Sequence, residues 1–545
     1  MFTNKIDTVS GMNNKSIVLL ILDGWGMSPS WSGNAISFSD PKNFNTFWRT
    51  YPHTVLQAFK DIADESGNVG NSEIGHASIG AGRIVKQDLT EINEAIKRGY
   101  FFQNPVLTDA YRHVKKFKSN LHIIGLLSNG GIHSHMDHLL ALLRFAKLEK
   151  VNNVYLHIIT DGIDSPDRSG IYFIQKLQEY IDQLGLGKIV SIIGRFYAMD
   201  KSGNNNRIDK AYYLQTEGKG QIFTNPLEAM KYYYSQGISD AYIPPTVITD
   251  NKVNRSINDY DGVIFYNFRA DRIQPLARAY TDNMYSKTLF GRKYKTIKDL
   301  MCVSLTSYML PDSSTMKVAF PVSVINDNLS ALVSRAGLSQ LHVAESEKAA
   351  HVTYFFNGGM VEPYKKEQRI IVPSPNVATY DMKPEMSTEK IVEVVIKAIK
   401  SKQFQFIVAN IANIDMVAHT GNILATSEAV RFTDKMLKKI VDANHDNITI
   451  ITADHGNAEQ IIPYKTSSNR ETLHTINPVP FIVIDKKKEK NLIQGALSPA
   501  KVQMYDVLSS SSNLSDVAPT ILELFNIAKP TTMTGQSLLN KIGYK

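Results

Sequence analysis

Three apolar runs of strand length are each followed by an aspartate. The three units are Ile17–Leu22 with Asp23, Phe404–Asn410 with Asp415, and Ile448–Thr452 with Asp454. A short, continuous apolar run bounded by a turn is typical of a parallel strand that is covered on both faces. In open α/β sheets, ligands bind beyond the carboxyl ends of the strands. The sequence therefore predicts a parallel sheet with acidic side chains along one edge.

Between the first unit and the other two, strand-like and helix-like segments alternate. A helix is predicted from about residue 88, because Leu89, Ile92 and Ile96 share one face. The segments that follow are strands at Leu121–Leu127, Val154–Ile159 and Ile189–Ile193, and helices at Leu139–Leu148 and Ile171–Ile181. Such alternation predicts a second α/β series with its own parallel sheet. We expect residues 1–87 and 322–545 to form one domain, with residues 88–321 inserted as the second.

Length and composition support a soluble two-domain protein. The 545 residues exceed what one hydrophobic core usually supports, and 43% hydrophobic with 21% charged residues is ordinary for a globular chain. No apolar run reaches the roughly 18 residues of a membrane helix, and the polar N-terminus does not resemble a signal peptide. The single cysteine, Cys302, excludes an intrachain disulfide framework, so we expect a cytoplasmic protein.

The net charge of +8 and the pI of about 9.0 are compatible with nucleic acid, with small anions, or with solubility alone. Basic residues are spread along the chain, with Lys486–Lys488 as the densest run. We therefore expect no nucleic-acid partner.

Several residues in the last third of the chain could bind a metal. Asp415 and His419 have the i, i+4 spacing that places two side chains on one helical face, although a capping Asp beside an unrelated His fits equally. Asp454 and His455 follow a predicted strand. A turn there can direct both side chains to one ion, although an ordinary polar turn has the same sequence. His474, before a Pro-containing strand, fits a structural histidine as well as a ligand.

Ser72 lies in a Gly-rich segment that extends from Gly67 to Gly82. Flexible backbone around a serine suits a nucleophile at a phosphate site, although a mobile surface loop has the same composition. The glycine spacing is not a dinucleotide fingerprint, and no P-loop Lys-Ser/Thr pair follows.

The segment His133-Ser-His-Met-Asp-His138 has two interpretations besides a pocket lining. The pattern also occurs as the metal motif of the metallo-β-lactamase fold, which needs further ligands downstream at open loops. The next histidine, His157, falls inside an apolar strand, where a core histidine is expected. Four arginines follow predicted strand ends in the middle of the chain and could bind a small dianionic substrate: Arg195, Arg207, Arg269 and Arg272.

Taken in order, these motifs strongly resemble the cofactor-independent phosphoglycerate mutases of the alkaline phosphatase superfamily. The resemblance covers nearly the whole chain, from about Ile17 to Met-Thr-Gly at 533–535. Its motifs are Asp-Gly-Trp-Gly at 23–26, Gly-Asn-Ser-Glu-Ile-Gly-His at 70–76, Gly-Ala-Gly-Arg at 80–83, His-Ser-His at 133–135, Tyr-Asn-Phe-Arg-Ala-Asp-Arg at 266–272, Glu-Ser-Glu-Lys-Ala-Ala-His-Val-Thr at 345–353, Asp415 with His419, Thr-Ala-Asp-His-Gly-Asn-Ala-Glu at 452–459, and His474.

The resemblance implies an alkaline phosphatase-like metal-binding domain with a second α/β domain, for substrate, inserted. It implies two Mn²⁺ ions, replaced by Mg²⁺ or Co²⁺ in some members, and no bisphosphoglycerate. One ion would be held by Asp23, Ser72, Asp454 and His455, and the other by Asp415, His419 and His474. It also implies a monomer that interconverts 3-phosphoglycerate and 2-phosphoglycerate in glycolysis and gluconeogenesis.

The resemblance further assigns roles to individual residues. Ser72 would attack phosphorus and become a phosphoserine, with Lys348 stabilising the phosphoryl oxygens. Proton transfers would fall to His133 and Asp164. The substrate would contact these residues together with Arg195, Lys201, Arg207, Arg269 and Arg272.

The chain departs from the family pattern at two positions in the insert. Ile163 stands in Asp-Gly-Ile-Asp where family members usually have Arg, and Lys201 begins a segment that usually reads Arg-Asp-x-Arg-Trp. A lost charge-assisted contact costs about 1.5–3 kcal/mol if nothing replaces it. A phosphomonoesterase, or a mutase of another phosphate ester, therefore remains an alternative. The intact ligand set and Ser72 argue against a third reading, a non-catalytic binding protein.

Overall fold

The computed structural model describes residues 16–30, 32–58, 71–200, 204–249, 255–282, 297–311, 314–321, 324–461, 474–489 and 511–545. Its Cα positions divide the chain into two compact units. The first comprises Met1–Lys86 with Ser323–Lys545, and the second Gln87–Val322. Within the described part of the chain, no helix combines the length and the hydropathy needed to cross a membrane.

The first unit contains a seven-stranded sheet with strand order β12-β11-β13-β1-β14-β15-β2. Five adjacent strands, from β12 to β14, are parallel, whereas β15 runs antiparallel to both of its neighbours. The strands, numbered along the whole chain, are β1 (Ile17–Leu22), β2 (His53–Leu56), β11 (Gln340–Glu345), β12 (Glu367–Val372), β13 (Phe406–Ile411), β14 (Ile448–Thr452) and β15 (Val479–Ile484).

Helices pack against this sheet and bury its apolar residues in one core. Every residue of the central strand β1 is buried, as expected for a strand with both faces covered. The α-helices of the first unit are Ala35–Ser39, Lys42–Thr50, Ser72–Ala81, Leu329–Arg335, Thr388–Ser401, Asn413–Ala418, Ile423–Ala443 and Val517–Leu524. A short 3-10 helix at Ser346–Lys348 follows β11.

The second unit contains an eight-stranded sheet with strand order β10-β9-β8-β3-β4-β5-β7-β6. The six strands from β10 to β5 are parallel, and β7 runs antiparallel to β5. The strands are β3 (Leu121–Leu127), β4 (Val154–Thr160), β5 (Lys188–Gly194), β6 (Gln221–Phe223), β7 (Thr246–Ile248), β8 (Gly262–Phe265), β9 (Met301–Thr306) and β10 (Lys317–Phe320).

The second unit's sheet is covered on both faces. Successive residues of a strand point to opposite faces, and Ile123 and Ile124 of β3 belong to different core clusters. The α-helices that supply these cores are Asp88–Arg98, Pro105–Phe117, Met136–Leu148, Gly170–Leu184, Arg195–Ala198, Asn205–Glu217, Pro226–Ser235 and Ala270–Thr281. The α/β class predicted from the sequence is confirmed in both units.

Several element boundaries differ by a few residues from the sequence-based expectation, and two of them have a visible cause. The helix expected from Leu139 begins at Met136, because the side chain of His135 accepts a hydrogen bond from the Asp137 amide at 3.3 Å and caps it. The strand expected from Phe404 begins at Phe406, which pairs with Ile17 at the start of β1. The histidine cap depends on the orientation of one polar side chain, and the cross-strand register is set by tertiary structure, so apolar periodicity reveals neither.

Candidate active site

Three aspartates converge where the central strands of the first unit end. The strands β13, β1 and β14 are adjacent and parallel, so their carboxyl ends share one edge of the sheet. Asp23 directly follows β1, and Asp454 lies two residues beyond β14. Asp415 lies in the helix that follows β13. All three carboxylates are buried, which confirms that the strand-and-aspartate units meet at one edge.

The ligand candidates form two groups. Asp23, Asp454 and His455 make up the first group, and Asp415, His419 and His474 the second. Within each group, one donor atom per residue lies within 4.8 Å of the others. Nε2 of His419 lies 3.3 Å from Asp415 Oδ1, and the i, i+4 spacing therefore does place both side chains together. Carboxylate oxygens and imidazole nitrogens are ordinary ligands of divalent transition metals.

Ser72 lies at the first position of the helix Ser72–Ala81. Asn71 caps this helix by accepting a hydrogen bond from the Ile74 amide at 3.1 Å. The Ser72 hydroxyl lies 2.8 Å from His455 Nε2 and 3.3 Å from Asp23 Oδ1. A helix N-terminus favours an anion, so the hydroxyl stands where a phosphoryl group would be stabilised. Residues 67–70 of the Gly-rich segment lie outside the described residues.

The Lys348 ammonium group lies between the two ligand groups. Its Nζ donates to Asp23 Oδ1 at 2.9 Å, to Asp415 Oδ2 at 2.8 Å and to Ser72 Oγ at 2.7 Å. Burial lowers the pKa of Lys348, but the charges of Asp23 and Asp415 outweigh burial and hold this pKa above its ordinary value. Lys348 is therefore a fixed positive charge in contact with the candidate nucleophile.

The electrostatics of the cluster favour further positive charge. Burial and then the charge of Asp454 raise the pKa of Asp23 above its ordinary value, even though Lys348 acts in the opposite direction. Three buried carboxylates thus face one ammonium group. Buried charges require compensation, and a divalent cation with oxygen and imidazole ligands would supply it. The donor set and its charge therefore fit divalent metal ions.

A second cluster, in the other unit, joins His133 to two acidic residues and an arginine. His133 Nδ1 lies 2.6 Å from Asp164 Oδ2, and Arg195 Nη1 lies 2.8 Å from Asp164 Oδ1. The same Arg195 nitrogen donates to Asp161 Oδ1 at 2.6 Å. Arg195 directly follows β5, and Asp161 and Asp164 follow β4, so the predicted strand-end positions do meet.

Charge controls protonation in this cluster. Burial lowers the pKa of His133, but its contacts with Asp164 and Asp271 outweigh burial, and the pKa is raised above its ordinary value. Burial raises the pKa of Asp164, whereas its pairing with His133 and with Arg195 brings this pKa below its ordinary value. A protonated imidazole beside a carboxylate is an arrangement suited to proton transfer.

The other residues that were predicted to contact substrate do not all join the His133 cluster. Arg269 Nε lies 3.3 Å from Asp271 Oδ1, which is 3.5 Å from His133 Nε2. Arg272 lies one residue after Asp271 in the first turn of the helix Ala270–Thr281 and is partly buried. Arg207 instead pairs with Asp200 at 2.6 Å and stacks on Phe196. The predicted contact Lys201 lies outside the described residues.

The metallo-β-lactamase interpretation of residues 133–138 finds no support in the described residues. His135 caps a helix, whereas His138 is buried with Nε2 at 2.9 Å from Asn93 Oδ1. The segment contributes to neither ligand group found there. His157 is a buried strand residue, as expected.

Comparison with known proteins identifies the family. Residues 92–310 match the family model described as "BPG-independent PGAM N-terminus". A 2,3-bisphosphoglycerate-independent phosphoglycerate mutase of Clostridium botulinum (strain ATCC 19397 / Type A) is 40% identical over 534 residues, covering 97% of this chain and 100% of the relative. The enzyme of the same name from Moorella thermoacetica is 40% identical, covering 97% and 99%. The chain belongs to this family.

A solved structure of a phosphoglycerate mutase is similar over the same extent. The Leishmania mexicana protein, crystallised at low cobalt concentration, has a TM-score of 0.68 and 26% sequence identity. The match covers 97% of this chain and 98% of that one. As a phosphoglycerate mutase family member, this chain is an isomerase, an intramolecular phosphotransferase that depends on a divalent metal.

Sequence reasoning missed three side chains that support the candidate ligands of this chain. Asn410 donates to Asp23 Oδ2 at 2.7 Å, and Asn457 donates to Asp415 Oδ1 at 2.8 Å. His76 Nδ1 lies 3.1 Å from Asp454 Oδ2. An asparagine inside the apolar run of β13 was the one available signal, because buried polar groups need partners.

Proposed function

We propose that this chain interconverts 3-phosphoglycerate and 2-phosphoglycerate without bisphosphoglycerate, through a phosphoserine at Ser72. The observation that carries the proposal is a single serine hydroxyl in contact with a buried ammonium group and with the first of two metal-ligand groups. Full-length relatives at about 40% identity that carry this enzyme name support the substrate. We assign the reaction to glycolysis and gluconeogenesis, in the cytoplasm, by a monomer, as the family resemblance implies.

The first unit is the proposed metal-binding domain. Its two ions are Mn²⁺ in our proposal, with Mg²⁺ or Co²⁺ as substitutes. Bound ions would supply positive charge that lowers the pKa of the Ser72 hydroxyl and stabilises the phosphoryl oxygens. The proposed ligands are Asp23, Ser72, Asp454 and His455 for one ion, and Asp415, His419 and His474 for the other.

Ser72 performs the transfer in two steps. In the first, Ser72 Oγ loses its proton and attacks phosphorus, the bond to the glycerate oxygen breaks, and that oxygen takes up a proton. In the second, the other glycerate hydroxyl loses its proton and attacks the phosphorus of phosphoserine 72, the bond to Ser72 Oγ breaks, and Ser72 Oγ takes up a proton. Lys348, 2.7 Å from Ser72 Oγ, stabilises the charge that develops on the phosphoryl oxygens in both steps.

The second unit is the proposed substrate-binding domain. His133 and Asp164 exchange protons with the glycerate hydroxyls, because their 2.6 Å contact holds the imidazole in one orientation. Arg195, Lys201, Arg207, Arg269 and Arg272 are the proposed contacts for the carboxylate and phosphate groups of the substrate.

The test is ³¹P NMR of 3-phosphoglycerate incubated with the purified protein and Mn²⁺, without bisphosphoglycerate. We expect a 2-phosphoglycerate signal that disappears when a chelator removes the metal. Inorganic phosphate as the sole product would contradict the mutase and support the phosphomonoesterase alternative, which the altered residue Ile163 motivates. An unchanged rate after chelation would contradict the metal assignment.

A further inference from the structure

Glu459 is a buried carboxylate beside the ligand groups that the proposed chemistry does not use. It lies in the loop after β14, four residues beyond His455, and only 1% of its surface is exposed. Burial raises the pKa of this carboxyl group above its ordinary value. A buried carboxylate is costly unless its neighbours require it, so its contacts define what it does.

One set of contacts fixes the segment that carries His474. The Thr475 hydroxyl and the Asn477 side-chain amide both donate to Glu459 Oε1, the amide at 3.0 Å. The Thr475 backbone amide donates to the Gly456 carbonyl at 2.8 Å, in an isolated antiparallel bridge. The segment is thus held against the Asp454–His455 loop from both its backbone and its side chains.

A second set of contacts involves the glycines of the two ligand loops. A Cβ atom at Gly26 would lie 2.2 Å from Glu459 Cδ, and one at Gly456 would lie 2.3 Å from Oε1. Both glycines are needed because the carboxylate occupies the space of their side chains. In addition, the Ala458 amide donates to the Gly24 carbonyl at 3.0 Å. The carboxylate therefore packs against the loops that follow β1 and β14.

We infer that Glu459 is a positioning residue that joins the three segments carrying Asp23, Asp454, His455 and His474. These are four of the seven proposed ligands, and they come from both ligand groups. The inference rests on the metal assignment in the proposed function. Groups that orient metal ligands typically change metal affinity 10–100-fold when removed.

The experiment is calorimetric titration of the metal-free, full-length protein with Mn²⁺, with Tm recorded for every variant. We expect Glu459→Ala to weaken Mn²⁺ binding about 10–100-fold. Glu459→Gln should restore most of the affinity, because the amide oxygen still accepts from Thr475 and Asn477.

The matched control is Glu367, another buried glutamate of the same unit. It accepts from Asn357 Nδ2 and the Tyr364 amide, each at 2.9 Å, and from Arg369 Nε at 2.6 Å, and none of these three partners carries or adjoins a proposed ligand. Glu367→Ala should lower Tm and leave Mn²⁺ affinity within about twofold of the wild type, since its partners orient no proposed ligand.

A second pair of variants covers the case in which Glu459→Ala does not fold. Thr475→Val removes the hydroxyl donor at nearly constant volume and should weaken Mn²⁺ binding, whereas Thr475→Ser should not. Unchanged affinity in both Glu459→Ala and Thr475→Val, or an equal loss in Glu367→Ala, would overturn the inference alone. If Glu459→Ala does not fold, unchanged affinity in Thr475→Val overturns it by itself. If the wild type itself does not bind Mn²⁺, the metal assignment of the proposed function fails instead.

Discussion

At the scale of single residues, the Asp164 carboxylate sets the protonation of His133. The two side chains are nearly buried and 2.6 Å apart. Because the pKa of His133 is raised above its unfolded value of about 6.5, its charged pairing contributes stability that is fully present below about pH 6.5. That contribution is lost as the pH rises through the folded-state pKa. The pair is therefore most stable when His133 is protonated, and in that state the imidazole can donate a proton to an oxygen.

Replacing Asp164 with Asn should lower the pKa of His133, because a carboxylate would no longer oppose the effect of burial, which lowers this pKa. The measurement is an NMR pH titration of the His133 imidazole in both proteins. Asp137→Asn is the control, since Asp137 lies 3.5 Å from His135 Nδ1 and its side chain is largely exposed. An unchanged His133 pKa in Asp164→Asn would show that the pair does not control the imidazole.

Ile163 is an apolar residue in an exposed turn beside the His133 cluster. It follows Gly162 in the turn next to Asp164, and 68% of its surface is exposed. Its amide donates to Asp161 Oδ1 at 3.2 Å, so the turn depends on the backbone and not on the side chain. An arginine, which the family resemblance leads us to expect at this position, would place a guanidinium group beside the His133 cluster without disturbing the turn.

Ile163→Arg should lower KM for 3-phosphoglycerate up to about tenfold, which corresponds to about 1.4 kcal/mol, with little change in kcat. Steady-state kinetics measures both values. Ile222→Arg is the control, because Ile222 is also an exposed isoleucine of the same unit, 66% exposed, in the edge strand β6. An equal or higher KM in Ile163→Arg would mean that other residues already bind the substrate's anionic groups.

The clustering of the candidate ligand side chains could be predicted from the sequence, but their supporting partners could not. Asp23 and Asp454 each follow an apolar strand, and this local pattern is visible in one dimension. The partners Asn410 and Glu459 lie far from some of the groups they contact along the chain: Asn410 donates to Asp23, 387 residues away. Such pairs depend on which strands become neighbours, and a single sequence does not specify this.

At the scale of elements, a buried series of hydrogen-bonded side chains joins three neighbouring strands of the second unit, β3, β4 and β5, to the residue that precedes β8. His122 Nε2 lies 3.1 Å from Asp261 Oδ2, and His122 Nδ1 lies 3.0 Å from His157 Nε2. His157 Nδ1 lies 2.7 Å from Ser191 Oγ. Burial and then His122 hold the pKa of His157 well below its ordinary value. His157 is therefore neutral, and each side chain in this hydrogen-bonded series has a partner on the neighbouring strand or directly before it.

Ser191→Ala should destabilise the protein by about 1–3 kcal/mol, because it leaves His157 Nδ1 buried without its partner. Ser191→Thr, which keeps the hydroxyl, should restore most of this stability. Urea-induced unfolding at neutral pH measures both free energies of unfolding. Equal stability of wild type and Ser191→Ala would show that this hydrogen-bonded series contributes nothing to the free energy of unfolding.

Buried parallel strands were the elements most accessible from the sequence. The ranges Ile17–Leu22, Leu121–Leu127 and Ile448–Thr452 are confirmed to the residue, because short, largely apolar and β-branched runs beside turn-forming residues leave little freedom. Strand direction was less accessible. The strand β15 is equally apolar, yet it runs antiparallel to β14, and nothing in its composition distinguishes the two directions.

At the scale of the whole molecule, the chain consists of two units that each have a separate sheet and separate hydrophobic packing, with one core cluster described in the first unit and two in the second. The α/β class follows from alternating strands and helices, and the family follows from the order of many short motifs along the chain. Neither can be obtained from composition, because a net charge of +8 suits many kinds of protein. The order of the motifs along the chain, and not its composition, therefore indicates which residues have which roles.

The central claim is that the phosphoryl group passes through Ser72. Its most direct test is acid quenching of the Mn²⁺-loaded protein during turnover of 3-phosphoglycerate, followed by peptide mass spectrometry. We predict an acid-stable phosphoryl group on Ser72 that appears only with substrate, and neither phosphopeptide nor 2-phosphoglycerate in Ser72→Ala. Isomerisation that continues in Ser72→Ala, or a phosphoryl group located on another residue, would contradict the account.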